Sequence, residues 1–198
     1  MEKFIFDKGI FKGCELTYEE EGHIYTLNGE KIESVTTLVG KFNPDKYKYV
    51  DADVLDNAAF NGNVIHTSIE LYAKYGITSD KYLEFRNFLR LKELYKFEIL
   101  ECEIPILVKV NDKVYAGRFD DLIKIGDKLY LNDNKTTSIL DTVSGSLQLS
   151  LYALGYKQTY DKTVDGLTLT WLRDRKYALV PVSWWNEEQL NEKVRNLK

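Results

Sequence analysis

The 198-residue chain is 44% hydrophobic and 13% aromatic, enough apolar surface for one sizeable core. With 29% charged residues, 12 Gly and 3 Pro, the composition excludes a disordered or fibrous protein. A formal net charge of -4 excludes a globally basic field, so any polyanion must be met by a local cationic patch.

In chain order, residues 1–13 (MEKFIFDKGIFKG) lack the apolar run of a secretory signal. Residues 23–42 predict a short strand, an Asn28-Gly29 turn, a second strand and a helix start near Ser34 or Thr36. From Asp45 to about Tyr75, Val54, Leu55, Ala58, Ala59, Ile65, Ile69 and Tyr72 recur at helical steps. Gly62 inside this run marks either a break between two helices or a close approach. Gly76 predicts the stop, and Ser79 caps a further helix to about Phe97. The period then changes. ILECEIPILVKV, VYAGRFDDLIKI and KLYLNDNK predict three antiparallel strands joined at Asn111-Asp112 and Gly126-Asp127. Residues 143–160 return to helical spacing, LTLTWL (167–172) and ALVPVSWW predict strands, and Asn186 to Lys198 predicts an amphipathic terminal helix. The expected fold is α/β or α+β, with helices covering a mixed sheet. Cys14 and Cys102 alone make neither a zinc site nor a disulfide framework, so a reducing cytoplasm is the expected location. No stretch approaches the roughly 18 apolar residues of a membrane span.

The chemistry concentrates on two of the predicted strands. Asp133 and Lys135, two apart, project to one face, and the Gly126-Asp127 hairpin can bring Asp120 beside them. Adjacent carboxylates repel unless a cation separates them, and Mg²⁺ is typically held by one or two carboxylates with water and phosphate. A lysine beside such an ion can orient the attacking water or neutralise charge on phosphate. Taken alone, D-x-K is a common tripeptide, more readily read as an Asp133-Asn134 loop with Lys135 a solvated strand end. His66 and Glu70 are four apart on an otherwise apolar helix face, as ligands or as a surface hydrogen-bonded pair. Gln148 and Tyr152 share a face of the later helix. Gly117 suggests that a backbone or ligand passes close to its strand.

In order, Gly62, His66 and Glu70, then Gly117 and Asp120, then Asp133 and Lys135, then Gln148 and Tyr152, resemble the RecB-like branch of the PD-(D/E)XK nuclease superfamily. The phage and viral exonucleases are the nearest type, and the resemblance spans about residues 23–175, including HIYTLNGEKIESVTTLVGKF. It implies an αβββαβ, restriction-endonuclease-like core within a single nuclease domain over residues 1–198. Residues 1–44 would form an N-terminal extension, 45–175 the core, and 176–198 a closing strand and helix. By resemblance, Asp120, Asp133, the Asn134 carbonyl and His66 bind Mg²⁺ or Mn²⁺, and Lys135 is the catalytic lysine. Glu70 and Gly117 support the site. Glu103 matches an additional acidic position, with Glu101 as its competitor. Gln148 and Tyr152 contact DNA or support the site. Arg118, Arg173, Arg175 and Lys176 are the leading cationic DNA contacts, ahead of Arg86, Arg90 and Lys92. Relatives with a four-cysteine iron–sulfur cluster differ from this chain, whose two cysteines make none. Asn132 also stands where an apolar residue usually precedes D-x-K. The implied function is a metal-dependent DNA exonuclease of viral recombination or end processing. An endonuclease of the same fold and a non-catalytic DNA-binding module are the alternatives. Implied partners are DNA and a single-strand-annealing recombinase, without a membrane, with an oligomer possible and the host cytoplasm as location.

Overall fold

The computed structural model describes residues 1–197. Its N-terminal part is a four-stranded antiparallel sheet, β1 (Glu2–Ile5), β2 (Glu15–Glu19), β3 (Ile24–Leu27) and β4 (Glu30–Ile32), paired in chain order. The β3–β4 hairpin turns through Asn28 (φ 51°) and Gly29 (φ 89°), the two positive dihedrals that a type I′ turn needs. The strands β1 and β2 were not legible in the sequence. They are short, and their core joins Phe6, Phe11, Leu16, Tyr18 and Tyr25 to Leu107 and Ala116 of the later sheet.

Helix α1 (Val35–Gly40) is capped by Ser34, whose Oγ accepts from the Thr37 N–H at 3.0 Å. The long helix α2 (Ala52–Tyr75) runs unbroken through Gly62 and stops at Gly76 in the left-handed region. Gly62 is therefore a close approach: a Cβ there would lie 3.3 Å from Thr136 Oγ1. α2 begins later than the expected Asp45, with residues 43–50 in turns. α3 (Leu83–Tyr95) likewise begins after Tyr82 rather than at Ser79. Ser79 Oγ instead accepts from the Lys81 N–H, a local turn that competes with a cap.

Strands β5 (Glu98–Val110), β6 (Lys113–Ile125) and β7 (Lys128–Lys135) form the expected meander. Helix α4 (Thr142–Tyr160) crosses over to β8 (Gly166–Leu172), which lies parallel to β7, and β9 (Tyr177–Pro181) closes the edge. The sheet order β5-β6-β7-β8-β9, with α2 and α3 before the meander and α4 after it, is the αβββαβ restriction-endonuclease-like arrangement. α5 (Glu187–Arg195) follows with an Asn186–Gln189 capping box. The last residue of the expected terminal helix, Lys198, lies outside the described residues.

α4, α1 and α5 share one core cluster with Ile104, Ile106, Phe119, Leu131 and Leu169 of the sheet. α2 and α3 pack with Ile123, Leu172 and Leu179 in another. α4 is buried at 13 of its 19 residues, so it is a core helix rather than an amphipathic surface one. Gly145 permits that depth, because a Cβ there would sit 2.6 Å from Leu169. Among the described residues no helix is long and apolar enough to cross a membrane.

Candidate active site

The strand end of β7 lies between α2 and α4, and the chemistry-bearing side chains meet there. Alternation along β7 sends Asp133 and Lys135 toward α4, where Gln148 meets both. Gln148 Nε2 donates to Asp133 Oδ1 at 3.4 Å, and Lys135 Nζ donates to Gln148 Oε1 at 3.3 Å. The Lys135 ammonium is 2.6 Å from Asp133 Oδ2. Among the described residues that ion pair is the one partner of this buried oxygen. Asp120 on β6 accepts from the Asn134 backbone N–H at 2.6 Å, which locks the two strands together at the site. From α2, His66 Nδ1 approaches Asp120 Oδ2 at 3.3 Å.

Glu103 completes the group. His66, Glu103 and Asp120 each offer a ligand atom, all within 4.8 Å of one another. Glu103 adopts φ 53° in the middle of β5, a left-handed conformation that non-glycine residues avoid at a cost of about 1–3 kcal/mol. Its carboxylate is braced by Arg118, whose Nε lies 2.6 Å away. Glu101, the alternative at this position, is exposed and 4.0 Å from Lys162.

The electrostatics are those of a crowded anionic site. Burial and the neighbouring Asp120 push Glu103 up to about 7, against the opposing pull of Arg118. Burial works against charge on His66, but Asp120 outweighs it and raises the imidazole to about 9. Burial also disfavours the Asp120 carboxylate, yet the His66 charge holds it below its ordinary value. Asp133 is raised by burial despite Lys135. Burial opposes the charge of Lys135, and Asp133 with Asp120 more than restores it. In the absence of metal the site relieves its repulsion with protons, an arrangement a divalent cation would replace. The imidazole and carboxylate donors, with the Asp133 carboxylate beside them, fit a hard or borderline divalent ion. The cysteines fit none, since Cys14 and Cys102 remain separate free thiols.

The other expected site residues are held within the protein to different degrees. Asn134 presents its N–H to Asp120, while its side chain turns to the other face and donates to Asp121 at 2.7 Å. Glu70 turns one helical step away to Lys74, at 2.6 Å, outside the ligand group. Tyr152 is buried, with its hydroxyl 3.2 Å from Gln148 Nε2. Gln148 is buried too, a placement that suits the second of the two expected roles, support of the site. Gly117 faces Tyr152, whose ring would lie 2.6 Å from an added Cβ; the close approach is a protein side chain, not a ligand. Arg118 is spent within the protein, on Glu103, on Glu2 at 3.1 Å and over the Tyr18 ring at 4.8 Å. Arg173 is also committed, donating to the Thr136 carbonyl at 3.1 Å. Arg175 and Lys176 remain exposed beside it.

One polar assembly was missed. Asp121, Asn132 and Asn134 are buried on the face opposite Asp133 and Lys135. Asn132 Nδ2 donates to Asp121 at 3.3 Å, and its Oδ1 accepts from Thr168 and Thr170 at 3.0 and 2.8 Å. The apolar residue expected before D-x-K is thus replaced by a hydrogen-bonded ladder across three strands. Burial and Asp120 raise Asp121 to about 7. A cavity of about 820 Å³ beside Lys109, Lys157 and Arg195 shares no residue with this centre.

No family model and no curated protein matches the sequence. Among solved structures, that of SSO0001 superposes with a TM-score of 0.49 at 20% identity, covering 83% of this chain and 75% of its own. A protein from Eubacterium rectale described as a candidate exonuclease gives a TM-score of 0.39 at 12% identity, covering 86% of this chain and 66% of its own, just under two thirds. Both TM-scores fall below 0.5, and the fold assignment stands on strand order and connectivity.

Proposed function

We propose that the whole chain is a single metal-dependent deoxyribonuclease domain, and that its activity is exonucleolytic, in viral recombination or DNA end processing. The observation that carries this reading is the convergence of His66, Glu103 and Asp120 ligand atoms within 4.8 Å, beside a buried carboxylate–lysine pair. These three residues, with Asp133, would hold Mg²⁺ or Mn²⁺. A bound divalent cation would polarise a phosphodiester and make water nucleophilic at neutral pH. Lys135, fixed by Asp133 and Gln148, supplies a point charge for the phosphate oxygens as negative charge accumulates on them. Asp133 is held in turn, with Oδ2 2.6 Å from Lys135 Nζ and Oδ1 3.4 Å from Gln148 Nε2. Arg118 keeps the Glu103 carboxylate aimed at Asp120 and His66. In the viral reading, a single-strand-annealing recombinase is the expected partner and the host cytoplasm the expected location.

The test uses metal-stripped protein with Mg²⁺ or Mn²⁺ added back to end-labelled linear DNA and to circular single-stranded DNA. The reading expects metal-dependent loss of linear DNA from an end while the circle survives. A cut circle would make the chain an endonuclease, and intact DNA under every metal would overturn catalysis.

A further inference from the structure

The pairing of β7 with β8 ends at Lys135, opposite Trp171. Beyond it the Thr136 and Thr137 carbonyls run out of strand partners, and side chains from the end of β8 satisfy them instead. Trp171 Nε1 donates to the Thr137 carbonyl at 2.8 Å, and Arg173 Nη1 donates to the Thr136 carbonyl at 3.1 Å. The residue that follows Lys135 is thus held in place from β8. It also meets α2, where a Cβ on Gly62 would lie 3.3 Å from Thr136 Oγ1. Gly62 stands one helical turn before His66, so Thr136 sits at the joint between two elements that carry the centre.

Arg173 is itself anchored from α3. Its backbone N–H donates to the Lys176 carbonyl at 2.9 Å, closing the turn between β8 and β9. Asn87 Nδ2 donates to the carbonyls of Arg173 and Asp174 at 2.6 and 3.3 Å, and Asn87 Oδ1 accepts from Arg90 Nη1 at 3.0 Å. Asn87 is 0% exposed, on the helix that gives Phe85, Phe88 and Leu91 to the core. A polar amide so placed costs stability unless its bonds are made. What it adds over an apolar side chain is a tie between α3 and the turn that presents Arg173.

Resting on the nuclease reading above, we propose that Arg173 and Asn87 are positioning residues for Lys135. Asn87 fixes the turn, the turn aims the Arg173 guanidinium at the Thr136 carbonyl, and that bond fixes the end of β7. From there Lys135 Nζ meets Asp133 Oδ2 at 2.6 Å and Gln148 Oε1 at 3.3 Å. A shift of about 1 Å at a reacting group can cost about a hundredfold in rate. The competing role for Arg173 is a phosphate contact. That role would act on affinity, whereas positioning acts on the rate with DNA already bound. Asn87, with no exposed surface, has no route to DNA.

The experiment is single-turnover cleavage of end-labelled linear DNA by the full chain in Mn²⁺, with enzyme in excess and raised to saturation. Arg173→Ala and Asn87→Ala are each expected to lower the saturating rate by about tenfold or more, with the half-saturating enzyme concentration unchanged. Combining them is expected to add little, because both break one chain of contacts. Arg173→Lys, whose ammonium keeps a donor for the same carbonyl, is expected to recover most of the rate. In metal-free protein, hydrogen exchange at residues 135–137 is expected to quicken in both alanine variants. Circular dichroism verifies the fold, and Arg173→Ala alone decides where Asn87→Ala fails to fold. A normal saturating rate in folded Arg173→Ala, whatever its melting temperature, would overturn the inference while leaving the nuclease reading standing. So would unchanged exchange at residues 135–137, or a raised half-saturating concentration at a normal rate, the mark of a phosphate contact. Losses that multiply in the double variant would overturn the link through Asn87. An unsubstituted chain that cleaves nothing in Mg²⁺ or Mn²⁺ would overturn both readings.

Discussion

Glu103, Asp121 and His66 titrate in the same direction, and that fixes a pH dependence for the metal-free chain. Folding raises the two carboxyls from 4.5 and 3.8 to about 7. The stability this contributes is complete below pH 4 and is lost as pH rises to 7. The imidazole is raised from 6.5 to about 9, so its contribution is complete below 6.5 and is lost toward 9. Metal-stripped protein should therefore melt at a clearly lower temperature at pH 9 than at pH 5, and Mn²⁺ should close most of that gap. A melting temperature that rises with pH in chelator would remove the repulsion from the account. At the same scale, Asp120→Asn, Asp133→Asn and Lys135→Ala should each reduce DNA cleavage by about a hundredfold or more. Near-normal turnover by the folded variants would clear these residues of any catalytic part. The pairing of Asp133 with Lys135 was legible in the sequence, since alternation alone puts them on one face. Between Glu103 and Glu101 the sequence left the choice open, even with the resemblance. The aim of Glu103 depends on a positive φ that no local motif announces.

Strand β7 is the element on which the site turns, because both of its faces are polar and both are satisfied. One face carries Asp133 and Lys135; the other carries Asn132 and Asn134 into Asp121, Thr168 and Thr170. A one-residue slip would exchange the two faces, and the ladder opposes it. Asn132→Ala, which leaves those buried hydroxyls and the Asp121 carboxyl short of partners, should cost about 2–4 kcal/mol in urea denaturation. A loss under 0.5 kcal/mol would show that the ladder does not hold the register. Between β6 and α4, Gly117→Ala places a Cβ 2.6 Å from the buried Tyr152 ring. It should destabilise by about 1–3 kcal/mol and, by moving Tyr152 against Gln148, lower activity as well; an unchanged melting temperature and rate would contradict that packing. The meander and its turns were readable from Asn111-Asp112 and Gly126-Asp127. The ladder was not, because Asp121 and Asn132 read as ordinary polar residues until β6 and β8 are known to bury them. For helix α4 the sequence offers Gln148 and Tyr152 either to DNA or to support of the site, and the chain buries the helix on nearly every side, which suits support.

Across the whole molecule, an acidic chain gathers its chemistry where three parts meet. The N-terminal sheet reaches the centre through Glu2, Arg118 and Glu103, α2 brings His66, and the central sheet brings Asp120, Asp133 and Lys135. The central claim is that His66, Glu103 and Asp120 form a divalent-metal centre beside Asp133 and Lys135. Manganese anomalous scattering from crystals of the full chain soaked in Mn²⁺ tests it most directly. The account predicts a peak at coordination distance from His66, Glu103 and Asp120 that disappears in Asp120→Asn. A map with no peak there, or with manganese only on exposed acidic residues such as Glu187 and Glu188, would contradict it.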